Sequence, residues 1–140
     1  MLDSAILQQL RDIFGSLEAN YTFAARFAPT HEKRGLLMEF LNDFASTSSH
    51  LSMSQSEVEG DGLEFSLLRD GQETGIIFRG IPNGHEFTSL ILAVLNADGK
   101  GKNLPDEGIA RRVRNLKGDI RLQTYISLTC TNCQIGRAHV

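Results

Sequence analysis

The residues able to do chemistry stand near the end of the sequence. Cys130-Thr131-Asn132-Cys133 places two thiols three residues apart, a spacing that brings two sulfurs within bonding distance where a strand runs into a helix. A helix starting there would favour the thiolate of the first cysteine through the positive end of its macrodipole. In this reading Cys130 is the exposed attacking sulfur and Cys133 the resolving one, cycling by thiol–disulfide exchange. Two other readings of the pair stay open, half of a zinc site and idle thiols. Zinc needs four ligands, and His31, His50, His85 and His139 show no paired spacing to complete a set.

The other conspicuous stretches have plainer readings. Arg111, Arg112, Arg114 and Lys117 form a basic cluster that reads as a solvated helix face, with docking to a partner as the alternative. Gly99-Lys100-Gly101-Lys102 lacks the spacing of a phosphate-binding loop. There is no G-x-S-x-G and no dinucleotide fingerprint, which excludes a serine hydrolase site or a cofactor-binding domain within these residues.

The elements that must position the thiols follow from periodicity. Asp3 or Ser4 caps a first helix whose apolar residues, Ile6, Leu7, Leu10, Ile13, Phe14 and Leu17, recur at helical spacing. Tyr21 to Ala28 reads as a strand, stopped by Pro29-Thr30. Thr30 is placed to cap a second helix carrying Leu36, Leu37, Phe40, Leu41 and Phe44, with Gly35 an internal cost of about 1 kcal/mol. His50 to Val58 alternates weakly and reads as an edge strand. Leu63 to Leu68 and Gly75 to Phe78 are stronger strands, joined through the turn signal Asp70-Gly71. After the break at Gly80-Ile81-Pro82-Asn83-Gly84, Glu86 to Ala97 forms an apolar helix. This order predicts an α/β fold: a mixed four-stranded sheet with flanking helices, the thioredoxin/glutaredoxin-like arrangement. Residues 1–98 make this first lobe and 99–103 a linker. From 104 to 133 a further helix, ended by Gly118, and an alternating strand from Asp119 to Ser127 repeat the opening of the chain and deliver it to the CxxC.

Composition bounds the partners. With 140 residues, 41% apolar and 22% charged, the chain has ordinary globular make-up. A net charge of −3 lacks the basic footprint of a nucleic-acid binder. The longest uncharged apolar-rich run, Phe87 to Ala97, is far short of the roughly 20 residues of a bilayer span, so no membrane partner is expected. Met1-Leu2-Asp3-Ser4 opens without a basic region or a cleavage site, and two cysteines make no extracellular disulfide framework; a cytoplasmic location is expected.

Two blocks carry a family resemblance. Phe78-Arg79-Gly80-Ile81-Pro82-Asn83-Gly84-His85-Glu86-Phe87-Thr88-Ser89-Leu90 resembles the central segment of the N-terminal domain of the alkyl hydroperoxide reductase flavoprotein, the F component of that system. Lys117-Gly118-Asp119 with Thr124 through Cys133 resembles its active-site approach, and Met1-Leu2-Asp3 agrees at the start. The resemblance implies two fused thioredoxin-like lobes, of which only the second carries a redox disulfide. It implies a dithiol electron shuttle within an NADH-dependent flavoprotein disulfide reductase, fed by a C-terminal module that holds FAD and NADH. The system's peroxiredoxin receives the electrons, and the parent protein is a homodimer. Carried over by position, Cys130 and Cys133 are the shuttle pair, and Glu86 lies near them across the lobe interface, where a carboxylate can relay protons or tune a thiol pKa. The plainer reading of Glu86 is a helix-start residue favoured by the macrodipole. The first lobe has Ala28-Pro29-Thr30-His31 where its own CxxC would fall, and no proline from Glu57 to Gly62 where this fold usually places a cis-proline. It therefore reads as scaffold. A non-catalytic thioredoxin-like binding module is the alternative function.

The ending is read as foreign. Ile135-Gly136-Arg137-Ala138-His139-Val140 can be encoded as ATC GGA AGA GCA CAC GTC, which resembles a common short-read sequencing adapter in frame. Residues 134–140 are thus expected to be a non-native tail, with proline at 134 in the true gene. The fragment is expected to lack the FAD and NADH modules and to be inactive alone.

Overall fold

The structure, a computed structural model, describes residues 2–84, 86–100, 106–121 and 123. Its elements run α1 (Ser4–Phe14), β1 (Tyr21–Phe27), α2 (Arg34–Ala45), β2 (Leu51–Glu57), β3 (Leu63–Arg69), β4 (Gln72–Arg79), α3 (Glu86–Ala97) and α4 (Glu107–Arg114). The strands form one sheet in the order β2-β1-β3-β4. β1 and β2 are parallel, joined by α2, while β3 is antiparallel to β1 and to β4. The expected mixed four-stranded sheet is therefore present.

Alternation along β1 decides which face is covered. Tyr21, Phe23, Ala25 and Phe27 are buried, and the residues between them are half-buried. Phe44 of α2 meets Phe23 at 5.4 Å between ring centroids, Phe14 of α1 at 5.4 Å and Phe87 of α3 at 6.0 Å. All three helices thus share the face from which Phe23 projects. The rings pack tilted or edge-on, the geometry that aligns positive edges with negative faces. On the opposite face the register sets Thr22 beside Ser52 and Arg26 beside Glu64. Arg26 and Arg79 both reach Glu64, at 3.6 and 3.7 Å. These partly exposed pairs contribute little to stability.

Local chemistry explains the boundaries. Asp3 caps α1, its Oδ1 accepting the Ile6 N–H at 2.8 Å, as the sequence indicates. Asp70-Gly71 closes the β3–β4 hairpin with φ of 50° and 83°, the paired positive values of a two-residue turn that follows the sheet's twist. The strand after it starts at Gln72 rather than Gly75, because Gly75 (φ 86°) lies in an irregularity within β4 and not at its beginning.

Three other expectations need correction. Thr30 does not cap α2; the helix follows a turn built on His31, whose carbonyl accepts the Arg34 N–H, and Lys33 occupies the N-cap without a side-chain bond. β1 stops at Phe27, one residue early. α4 ends at Arg114 rather than at Gly118, since the Asn115 N–H bonds Arg111 and the Leu116 N–H bonds Val113, tightening the last turn. Residues 119–121 and 123 are in no strand, and the rest of the expected strand from Asp119 to Ser127 lies outside the described residues.

Gly35 is the second residue of α2, and a Cβ built on it would meet nothing within 4 Å. Gly35→Ala is therefore expected to stabilise the lobe by about 0.5–1 kcal/mol, chiefly by restricting the unfolded chain. Urea denaturation checks this; a lowered midpoint would contradict the open environment.

Candidate functional site

Cys130 and Cys133 lie outside the described residues, whereas Glu86, the third expected site residue, is described. Glu86 is the first residue of α3 and is half-buried. Its N–H donates to the Asn83 carbonyl at 3.2 Å, and the Phe87 N–H to Gly84 at 3.3 Å, so the Gly80–Gly84 break folds directly into the helix start. An acidic group in a first turn is stabilised by the unpaired N–H groups there. No thiol is among the described residues, so the expected nearness of Glu86 to Cys130 and Cys133 lies outside them.

The turn after β1, where the resemblance would place a redox pair in the first lobe, is fully described. Ala28 follows β1 and its N–H bonds the Gly62 carbonyl at 3.0 Å, and the His31 N–H returns to Ala28 at 3.0 Å. His31 Nδ1 accepts the Lys33 N–H at 3.0 Å. The turn thus sets Ala28-Pro29-Thr30-His31 directly after β1, with no sulfur on it. A shallow groove alongside, between Arg34 and Met38 of α2 and Gln55 and Glu57 of β2, is open to solvent. Among the described residues no three His, Cys, Asp or Glu side chains gather to hold a metal. No described helix is long and apolar enough to cross a membrane. Arg111, Arg112, Arg114 and Lys117 are all exposed, and Arg114 pairs within its own helix with Glu107 at 3.1 Å.

The structure adds a residue that sequence reasoning marks only as a helix end. Asp98, just past α3, is the only buried charged residue among those described. Its Oδ1 accepts the Ala19 N–H at 3.0 Å and the Tyr21 hydroxyl at 2.9 Å. Its Oδ2 accepts the Glu18 N–H at 3.1 Å and the Lys100 ammonium at 2.9 Å. Burial alone would push the carboxyl pKa up; the bonds from Lys100, Ala19, Glu18 and Tyr21 outweigh it and hold it well below the usual carboxylate range. Burial, then the bond to Asp98 and its charge, raise the Tyr21 phenol well above its ordinary value, with Arg69 opposing. A carboxylate at a helix C-terminus faces the negative end of the macrodipole, so the donors from Glu18, Ala19, Tyr21 and Lys100 offset an unfavourable placement that the local sequence does not explain.

A charge held this way gives two measurable consequences. The folded carboxyl ionises more readily than an unfolded one near pH 4, so its stabilisation is complete above that value and lost as pH falls below it. Asp98→Asn is expected to cost roughly 3 kcal/mol at neutral pH, with the gap to wild type closing on acidification below about pH 4. Absorbance at 295 nm is expected to leave one of the two tyrosines, Tyr21, protonated beyond pH 10 until the lobe unfolds. Two tyrosines titrating together near pH 10 would contradict the buried bond.

No protein-family model matches the chain. It is 38% identical over 133 residues, 95% of its length, to the F component of Staphylococcus aureus alkyl hydroperoxide reductase. The chain spans about a quarter (26%) of the length of the curated relatives it matches. The structure of the N-terminal domain of the Enterococcus faecalis alkyl hydroperoxide reductase AhpF matches with a TM-score of 0.68 at 30% identity, covering 76% of this chain and 57% of that one. A protein disulfide oxidoreductase from Aeropyrum pernix matches with a TM-score of 0.78 over 96% of this chain and 64% of that one; at 18% identity this is a likeness of fold.

Proposed function

We propose that this chain, matching the N-terminal domain of alkyl hydroperoxide reductase AhpF, is the dithiol shuttle of an NADH-dependent peroxiredoxin reductase. The observation that carries the reading is similarity to AhpF over 95% of the chain, which takes in the CxxC region as well as the first lobe. The thioredoxin-like sheet supports it, and so does the bare turn at Ala28–His31, which leaves dithiol chemistry to Cys130 and Cys133.

In the proposed exchange, the Cys130 thiolate attacks one sulfur of the peroxiredoxin's disulfide. That S–S bond breaks, a mixed disulfide forms, and the partner's other sulfur leaves as a thiolate. The Cys133 thiolate then attacks Cys130 Sγ and releases the partner's remaining sulfur. Two electrons have moved to the peroxiredoxin, its two thiolates take up protons, and Cys130–Cys133 is left as a disulfide. Its re-reduction is the task of the flavin module, whose FAD and NADH sites belong to the remaining length of the parent protein. The setting is the cytoplasm, and the parent acts as a homodimer. Glu86, at the start of α3, is the candidate proton relay to this pair.

Single-serine variants of the parent protein test the roles. Cys130→Ser is expected to abolish electron delivery. Cys133→Ser is expected to accumulate a mixed disulfide with the peroxiredoxin on non-reducing gels. Trapping by Cys130→Ser alone would reverse the assignment, and no trapping by either would end it.

Glu86 has its own test. A carboxylate beside the pair disfavours the thiolate, so Glu86→Gln is expected to shift the pH profile of Cys130 alkylation to lower pH. A residue serving only the helix start would instead lose about 0.3–1 kcal/mol of stability and leave thiol titration unchanged.

A further inference from the structure

Seven asparagines stand in the chain, and only Asn83 is followed by glycine. In such a pair the side-chain amide carbon and the next backbone nitrogen are spaced to close a succinimide ring, and glycine has no Cβ to obstruct the approach. Closure then depends on how firmly the two groups are held. Asn83 and Gly84 are both exposed, between the fully buried Pro82 and the start of α3. The Asn83 N–H bonds the Ile81 carbonyl at 2.9 Å, and the Asn83 carbonyl accepts the Glu86 N–H at 3.2 Å. Among the described residues, no hydrogen bond holds the Asn83 side-chain amide or occupies the Gly84 N–H. The other described asparagines are restrained. Asn42 and Asn96 lie within α2 and α3, where the following N–H belongs to the helix ladder. Asn20 Oδ1 is bonded to His50 Nδ1 at 3.0 Å, and after Asn115 the Leu116 N–H is taken by Val113.

We propose that Asn83 is a spontaneous modification site, at which deamidation sets a second carboxylate just ahead of Glu86. The Gly84 nitrogen gives up its proton and attacks Asn83 Cγ; the N–Cγ bond forms, the Cγ–Nδ2 bond breaks, and ammonia leaves. Water then opens the ring. Cleavage between the Gly84 nitrogen and Cγ gives aspartate, with the backbone as before. Cleavage between that nitrogen and the Asn83 carbonyl carbon gives isoaspartate, with the chain rerouted through Cγ. No electrons are exchanged, and either product gains a negative charge. The aspartate form keeps the carbonyl that accepts the Glu86 N–H, whereas in the isoaspartate form that carbonyl becomes the free carboxylate. A charge of this sign is favoured before a helix N-terminus. Its effect on the dithiol rests on the shuttle reading with Glu86 beside the pair: there the added carboxylate disfavours the Cys130 thiolate.

Peptide mapping by mass spectrometry tests the site, using the 140-residue chain aged at mildly alkaline pH with and without urea. Asn83 is expected to lose its amide ahead of Asn20, Asn42, Asn96 and Asn115, and at a similar rate folded and unfolded. Asn83→Gln keeps an amide but requires a larger ring, so it is expected to abolish the change at this position. Protection of Asn83 until urea is added would overturn the proposal. The effect is read in the parent protein, where Asn83→Asp is expected to move the Cys130 alkylation profile to higher pH, opposite to Glu86→Gln. A profile moved by Glu86→Gln but not by Asn83→Asp would overturn the effect on the pair. A profile moved by neither would end the nearness of Glu86 to the thiols, while the modification site stands or falls on the peptide map.

Discussion

The first lobe depends on one ring, Phe44. It lies where α1, β1 and α3 all converge on α2, touching Phe14, Phe23 and Phe87. Among the described residues the sheet has one covered face, so α1, α2 and α3 must share the surface on which apolar area is buried. Interlocking aromatic rings let three helices share that surface without voids, since large flat side chains fill the angles between crossing cylinders. The opposite face is left to small and charged residues, Thr22, Ser52, Arg26 and Glu64 among them. The asymmetry of the sequence pattern along β1 is the direct imprint of this arrangement.

Much of this is legible in the sequence, and the reasons differ by element. α3 can be read at both ends, because a glycine-proline break precedes it and a Gly follows its last turn. The hairpin can be read because Asp70-Gly71 satisfies a demand for positive φ that few dipeptides meet. β2 is fainter, since an edge strand with one neighbour needs no strong alternation; Leu51 is its only buried residue. Thr30 misleads because a capping residue is recognised by type, whereas the cap is assigned by where the preceding turn closes, and here His31 closes it. Gly75 misleads because glycine marks both a strand end and an irregularity within a strand.

The candidate site divides along the same line. Cys130 and Cys133 are proposed from the sequence because few spacings of two thiols in a short chain carry chemistry, and Glu86 is proposed only through resemblance. Asp98 is hidden, because its donors Glu18, Ala19 and Tyr21 lie about eighty residues earlier in the chain. No local pattern announces a bond across such a separation. The sequence around it shows an ordinary helix end, and its meaning appears only when the fold brings the chain's two distant stretches together.

That separation also sets a timetable. During synthesis α1 and β1 emerge first, yet β1 obtains its two sheet neighbours only after Leu51–Glu57 and Leu63–Arg69 have followed. The amides of Glu18 and Ala19 have no carboxylate until Asp98 leaves the ribosome. Loop closure of this length must precede the reward from the contact it makes. β1 can thus pair with both neighbours once Arg69 has followed, whereas the turn that leads into it stays without its acceptor until Asp98 arrives. Asp98 and Lys100 are among the last residues of the lobe to be translated, and the stretch leading to α4 follows at once. A nascent chain thus passes from an open lobe to a closed one just before the segment bearing the thiols begins to appear.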